Sequence, residues 1–189
     1  NGGIKTAGQV LYPFGYGLSY VEDFSWSVDE VSLPNGSALD ADSEIEFTLS
    51  VTNNSKYWSG KEVVQLYFSA PYISGGIEKP ALKLGAFEKT AELAPGQTQS
   101  DIKLSVSLRD MASYDCYDKN VNGFIGYEAD AGEYVLTFRT DSHTVKSGIQ
   151  EYRYTLDTGV RYEKSDVNDT VVTNKFTTFT HASSGASST

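Results

Sequence analysis

Three groups of residues carry side chains suited to chemistry. The first is Asp118-Lys119-Asn120-Val121-Asn122-Gly123-Phe124-Ile125. Asp118, Asn120 and Asn122 fall at positions one, three and five of a calcium-loop pattern, with Gly at six and an aliphatic residue at eight. Oxygen ligands at alternate positions wrap one hard cation, and the glycine permits the turn. Position twelve, where a bidentate carboxylate normally closes such a loop, is Ala129, with Glu128 and Asp130 on either side. No flanking helix is predicted. Calcium is the one cofactor this spacing admits, and a solvated hairpin loop without any cofactor is the simpler reading. The second group is aromatic. Tyr57, Trp58, Tyr67 and Tyr72 are a candidate carbohydrate-stacking platform, because aromatic faces bind sugar rings through CH contacts and apolar burial. The alternative is that Trp58 packs on a neighbouring domain or under its own loop. The third group is Tyr114-Asp115-Cys116. Nothing nearby in sequence supplies the base that a catalytic cysteine needs. Tyr114 reads as structural, its hydroxyl bonded to nearby backbone in a tyrosine corner. With only His143 and His181 in the chain, a His-rich metal site is excluded.

The elements that must position these groups are strands. Phe24, Trp26 and Val28 alternate with polar residues, as do Ile45, Phe47, Leu49 and Val51. The same period recurs at Val64, Leu66 and Phe68, at Ile102, Leu104, Val106 and Leu108, and at Tyr134, Leu136 and Phe138. Tyr152, Tyr154 and Leu156 close the series. A period of two gives one buried and one wetter face, the mark of a half-buried antiparallel strand. Turn residues separate the runs, as in Pro34-Asn35-Gly36 and Ala94-Pro95-Gly96. The pattern predicts an all-β antiparallel β-sandwich of about seven to eight strands. Only Leu108 to Tyr114 has room for a helical turn. The sandwich is expected over residues 23–157, flanked by a segment at 1–22 and a polar extension or linker at 158–189. In the first flank, glycines punctuate large rings from Leu11 to Tyr20. That composition suits an irregular segment that packs against something else, with Phe14, Tyr16 and Tyr20 as the docking side chains.

Composition removes several function classes. Among 189 residues, 25 Asp and Glu against 15 Lys and Arg leave a formal charge of −10, and no two basic residues are adjacent. That balance argues against a nucleic-acid partner, since phosphate binding needs clustered Lys and Arg. No apolar run approaches the ~18 residues of a membrane span. A single cysteine closes no intrachain disulfide. The chain opens at Asn1 rather than Met and shows no signal peptide, which reads as an excised or processed piece. The compartment, cytoplasmic or secreted, then depends on the parent protein.

Ordered motifs extend this reading. Leu11-Tyr12-Pro13-Phe14-Gly15-Tyr16-Gly17-Leu18-Ser19-Tyr20 resembles a hallmark of family 3 glycoside hydrolases, the exit from their α/β sandwich domain into a fibronectin type III-like domain. Gly60-Lys61-Glu62-Val63-Val64-Gln65-Leu66-Tyr67 is similar to the family's Gly-x-Glu-Val-Val-Gln-Leu-Tyr strand. Leu82 to Lys89, Leu93 to Thr98, Tyr114-Asp115 and Glu128 to Tyr134 continue the resemblance in the family's order. The departures are Lys56-Tyr57-Trp58-Ser59, an inserted Ala86, and a Glu-x-Gly segment stretched by Asp130-Ala131. Thr158 to Phe176 is similar to the joint leading to a following barrel in enzymes of reversed domain order, with an ordinary extension as the alternative. The resemblance implies an immunoglobulin-like or fibronectin type III-like sandwich. It also implies a parent β-glycosidase, often a β-glucosidase, that retains configuration through an Asp nucleophile and a Glu acid/base. In the family these belong to the barrel and, usually, the α/β sandwich domain, neither of which is in this chain. Ser165-Asp166-Val167 lacks the tryptophan that follows the family's Ser-Asp pair, so Asp166 does not inherit the nucleophile role. The expectation is a non-catalytic accessory module whose partners are the catalytic domains of its parent chain. A carbohydrate-binding module using Tyr57, Trp58 and Tyr72, or a general protein-interaction sandwich, is the alternative.

Overall fold

A computed structural model describes residues 10–21, 23–165 and 167–171. These contain eleven strands and no α-helix. The first sheet pairs β1 (Phe24–Val31), β3 (Glu44–Asn53) and β6 (Thr98–Ser107) in the order β1-β3-β6. The second holds β2 (Ala38–Leu39), β4 (Val63–Ser69), β5 (Lys83–Lys89), β9 (Gly132–Arg139) and β10 (Tyr152–Leu156), ordered β2-β10-β9-β4-β5. A small third sheet joins β7 (Ser113–Asp115), β8 (Gly126–Ala129) and β11 (Val160–Tyr162) in the order β11-β8-β7. All pairings are antiparallel except β2 with β10.

The core follows the alternation. Ile45, Phe47, Leu49 and Val51 point inward from β3 and are fully buried, while Glu46 stays exposed. Phe47 meets Phe138 edge-on at 5.2 Å and Tyr152 at 4.8 Å, which ties the two large sheets together. Each such ring stabilises the fold by roughly 1.5–3 kcal/mol through burial and adds a smaller edge-to-face term. Trp26 is buried on β1, as expected of a core residue, with the Lys146 ammonium 4.9 Å from its ring centroid.

The strand count departs from the reading of the sequence. Seven strands are the long alternating runs and β5. The others, β2, β7, β8 and β11, have two to four residues each, too short for a period to register. Residues 108–111 form only a turn, in which Asp110 Oδ2 accepts from the Ser107 N–H and hydroxyl. The tyrosine corner falls on Tyr134, whose hydroxyl donates to Asp130 O at 2.9 Å. Tyr114 meets Tyr127 edge-on at 5.1 Å instead, because β7 and β8 pair these two residues directly. The chain stays in the fold past residue 157, since Tyr162 on β11 is buried and donates to Ala41 O.

Candidate functional site

The aromatic segment at 10–21 lies across the outer face of β4 and the β9–β10 turn. Gln65 and Tyr67 alternate with the core residues of β4, so period two predicts that they are wet. Both are buried. The reason is that the aromatic segment covers them. Gln65 Nε2 donates to Gly15 O at 3.1 Å and to Thr140 O at 2.7 Å, and Tyr67 donates to Gln65 Oε1 at 3.0 Å. Ser142 N donates to Phe14 O at 2.8 Å. Gly15 has φ of 84°, and a Cβ there would stand 2.2 Å from Gln65 Oε1, so only glycine permits this approach. Val21 anchors the far end, buried against Gly60.

The backbone is therefore pinned while the side chains project outward. Phe14 is 68% exposed, Tyr16 is also exposed, and Tyr20 is 91% exposed. Tyr12 stacks at a tilt on Tyr16 at 5.3 Å. Tyr20 approaches Trp58 at 6.2 Å, so the loop between β3 and β4 extends the same aromatic strip. That loop is held by Asn53, a fully buried amide. Its Nδ2 donates to Trp58 O and Leu93 O, each at 2.9 Å, and its Oδ1 accepts from Ser55 N. Trp58 is 59% exposed and Tyr57 80%. Tyr72 does not join them. It follows the opposite end of β4, about 20 Å away at the ordinary rise per strand residue, and faces Glu78 at 3.4 Å. Tyr67, buried beneath Gly15, is no part of a sugar platform. Tyr20 takes its place, a partner that sequence spacing does not suggest because 38 residues separate it from Trp58.

A small polar cavity of about 360 Å³ opens beside the segment, lined in part by Gly17, Ser19, Lys61, Glu62 and Asp141. Burial pushes the Glu62 carboxyl up, opposed by the Val63 N–H and the Lys146 ammonium. Burial pushes Lys146 down, opposed by Glu62 and Asp23. Lys146 also donates to Phe24 O. Its charge is spent on structure rather than presented to a ligand.

In the Asp118 loop, Asp118 accepts from the N–H groups of Asn122 and Gly123. Asn120 and Asn122 both turn their side-chain nitrogens to Glu128 Oε2. Among the described residues no three His, Cys, Asp or Glu side chains gather in one place. Cys116 is exposed. Asp166 and His181 lie outside the described residues.

Residues 62–142 match the family of fibronectin type III-like domains. A curated relative, Beta-glucosidase A of Butyrivibrio fibrisolvens, is 36% identical over 82% of this chain and 19% of its own length. Residues 62–142 belong to the fibronectin type III-like domain family, and relatives that match the chain are family 3 β-glucosidases. Solved structures agree on the architecture of this domain. A Paenibacillus barengoltzii β-glucosidase superimposes with a TM-score of 0.68 and 35% identity, over 82% of this chain and 16% of that one. β-Glucosidase 3B of Thermotoga neapolitana, solved in complex with glucose, gives 0.61 and 32%, over 80% of this chain and 18% of that one. This chain therefore spans less than a fifth of the length of these relatives, and the fibronectin type III-like domain corresponds to one part of a larger polypeptide in them.

Proposed function

We propose that the domain is a non-catalytic accessory module of a family 3 β-glycosidase, packing on the catalytic domains of its own polypeptide and holding them in register. The observation that carries this reading is the strip Tyr12, Phe14, Tyr16, Leu18, Tyr20 and Trp58, whose rings and apolar side chains face solvent while the backbone is held at Phe14, Gly15 and Trp58 and buried Val21 anchors the end. A mobile tail would bury its rings or lack fixed bonds. A pinned and exposed apolar strip is what a domain shows where a partner covers it. The relatives supply the occupant, since more than four-fifths of each lies outside the matched region. In a retaining glycosidase the two carboxyl groups stand only about 5–5.5 Å apart. When they come from different domains, a rigid brace between those domains preserves that spacing.

The exposed Tyr57, Trp58 and Tyr20 rings favour one second reading, a carbohydrate-binding surface. Titration calorimetry against glucose, cellobiose, xylobiose and soluble β-glucans separates the two, run beside a chromogenic glycoside assay. The accessory role expects no binding and no turnover. It also expects association with separately produced catalytic domains of the parent, lost in a Phe14→Ser, Tyr20→Ser variant. Saturable sugar binding lost in Trp58→Ala would replace it with the carbohydrate-binding reading.

A further inference from the structure

The loop between β7 and β8 holds a group that its sequence spacing does not reveal. On β8, Tyr127 faces outward, and Glu128 faces inward at 4% exposure. Glu128 Oε2 accepts from Asn120 Nδ2 at 3.1 Å and Asn122 Nδ2 at 2.5 Å, so the carboxylate sits against the side chains at loop positions three and five. Its other oxygen, Oε1, is shut off from solvent and has no hydrogen-bond partner. A carboxylate oxygen in that condition is costly unless something positive meets it. Arg161 stands opposite Glu128 where β11 pairs with β8, yet its guanidinium donates to the loop backbone and not to Oε1. Arg161 donates to Asn122 O at 3.0 Å and lies 5.8 Å from the Phe124 ring centroid, and Lys119 lies 5.8 Å from that of Tyr117. Asp118 meanwhile curls the backbone around its carboxylate through the Asn122 and Gly123 N–H groups.

We propose that this loop is a divalent-cation site of the calcium class, with Asp118, Asn120 and Asn122 as loop ligands and Glu128 as the anionic ligand that closes it. Glu128 stands one residue before the position where the loop pattern expects its closing carboxylate, and the inward register of β8 brings it to the loop. Cation entry displaces the Asn120 nitrogen, and a half-turn of that amide presents Oδ1 in its place. Asn122 Oδ1 already faces the loop backbone, accepting from Phe124 N at 2.8 Å. With two carboxylates and otherwise neutral oxygens, the site belongs to the weak end of the range, with Kd on the order of 10⁻⁴–10⁻³ M.

The test is calorimetric titration of the chelator-treated 189-residue chain with calcium chloride, paired with thermal melts with and without calcium and a magnesium control. Saturable heat and a calcium-dependent rise in Tm are expected. Glu128→Gln should abolish both while keeping the β-sheet circular dichroism signal. Should that variant fail to fold, Asn120→Ala keeps the framework and should weaken Kd about ten-fold. Absence of saturable heat in the wild-type chain would overturn the site. So would a Glu128→Gln or Asn120→Ala variant that binds calcium as the wild type does, since Glu128 would then only brace the loop.

Discussion

Gly15 and Asn53 decide whether the aromatic strip is presented or lost. Alanine at position 15 must hold a left-handed backbone, at about 1–2 kcal/mol, and must also displace the Gln65 carboxamide. Gly15→Ala should release the segment while leaving the sandwich folded. Amide hydrogen exchange at Ser142, whose N–H is bonded to Phe14 O, reads this directly. Unchanged protection at Ser142 would mean that the segment is held by other contacts. Asn53→Ala removes the donor to Trp58 O and Leu93 O in a dry environment. A loss of about 2 kcal/mol is expected, seen as a lower denaturation midpoint at constant m-value. At this scale the sequence was partly legible. The exposure of Phe14, Tyr16 and Tyr20 follows from glycines set between large rings. The pairing of Tyr20 with Trp58, and the role of Glu128, depend on contacts between distant or differently facing residues that no local spacing encodes.

Among the elements, the short ones were the illegible ones. The stretch Asp130-Ala131, an insertion relative to the family's motif, forms the turn into β9 and carries a buried ion pair. Lys79 Nζ sits 2.6 Å from Asp130 Oδ2 with both side chains largely buried, while Asp130 O accepts the Tyr134 hydroxyl. Removing the lysine leaves a buried carboxylate uncompensated. Lys79→Ala should therefore cost about 3–5 kcal/mol, whereas Lys103→Ala, which breaks the exposed and solvent-screened pair with Glu46, should leave stability nearly unchanged. Equal effects in denaturant titrations would contradict the difference in burial. Two tyrosines, one on a long strand and one on a short strand, also set the alkaline limit of the fold. Burial pushes the Tyr154 hydroxyl on β10 up to about 12; on β11 the Tyr162 hydroxyl also rises to about 12, through burial opposed by Arg109. The unfolded chain ionises near 10, so it releases these protons first. The stability these groups contribute is complete below pH 10 and is lost as pH rises toward about 12. A pH titration of tyrosinate absorbance should show a late phase coincident with loss of β-sheet signal. A single phase near pH 10 with the fold intact would exclude this.

For the molecule as a whole, the sandwich was legible because its long strands alternate cleanly, and each inward series meets its counterpart across the core. Phe47 against Phe138 and Tyr152 is the clearest case. What alternation missed was the outer face of β4, where Gln65 and Tyr67 are dry because a segment from well upstream lies over them. The same arrangement leaves the molecule with two indoles in opposite surroundings. Trp26 is enclosed beneath an ammonium group, whereas Trp58 stands at the rim beside Tyr20. The domain thus carries its own optical reporter. Coverage of the strip should shift the red-edge emission of Trp58 to shorter wavelength and leave the emission of Trp26 in place, so that docking is distinguished from unfolding without any label.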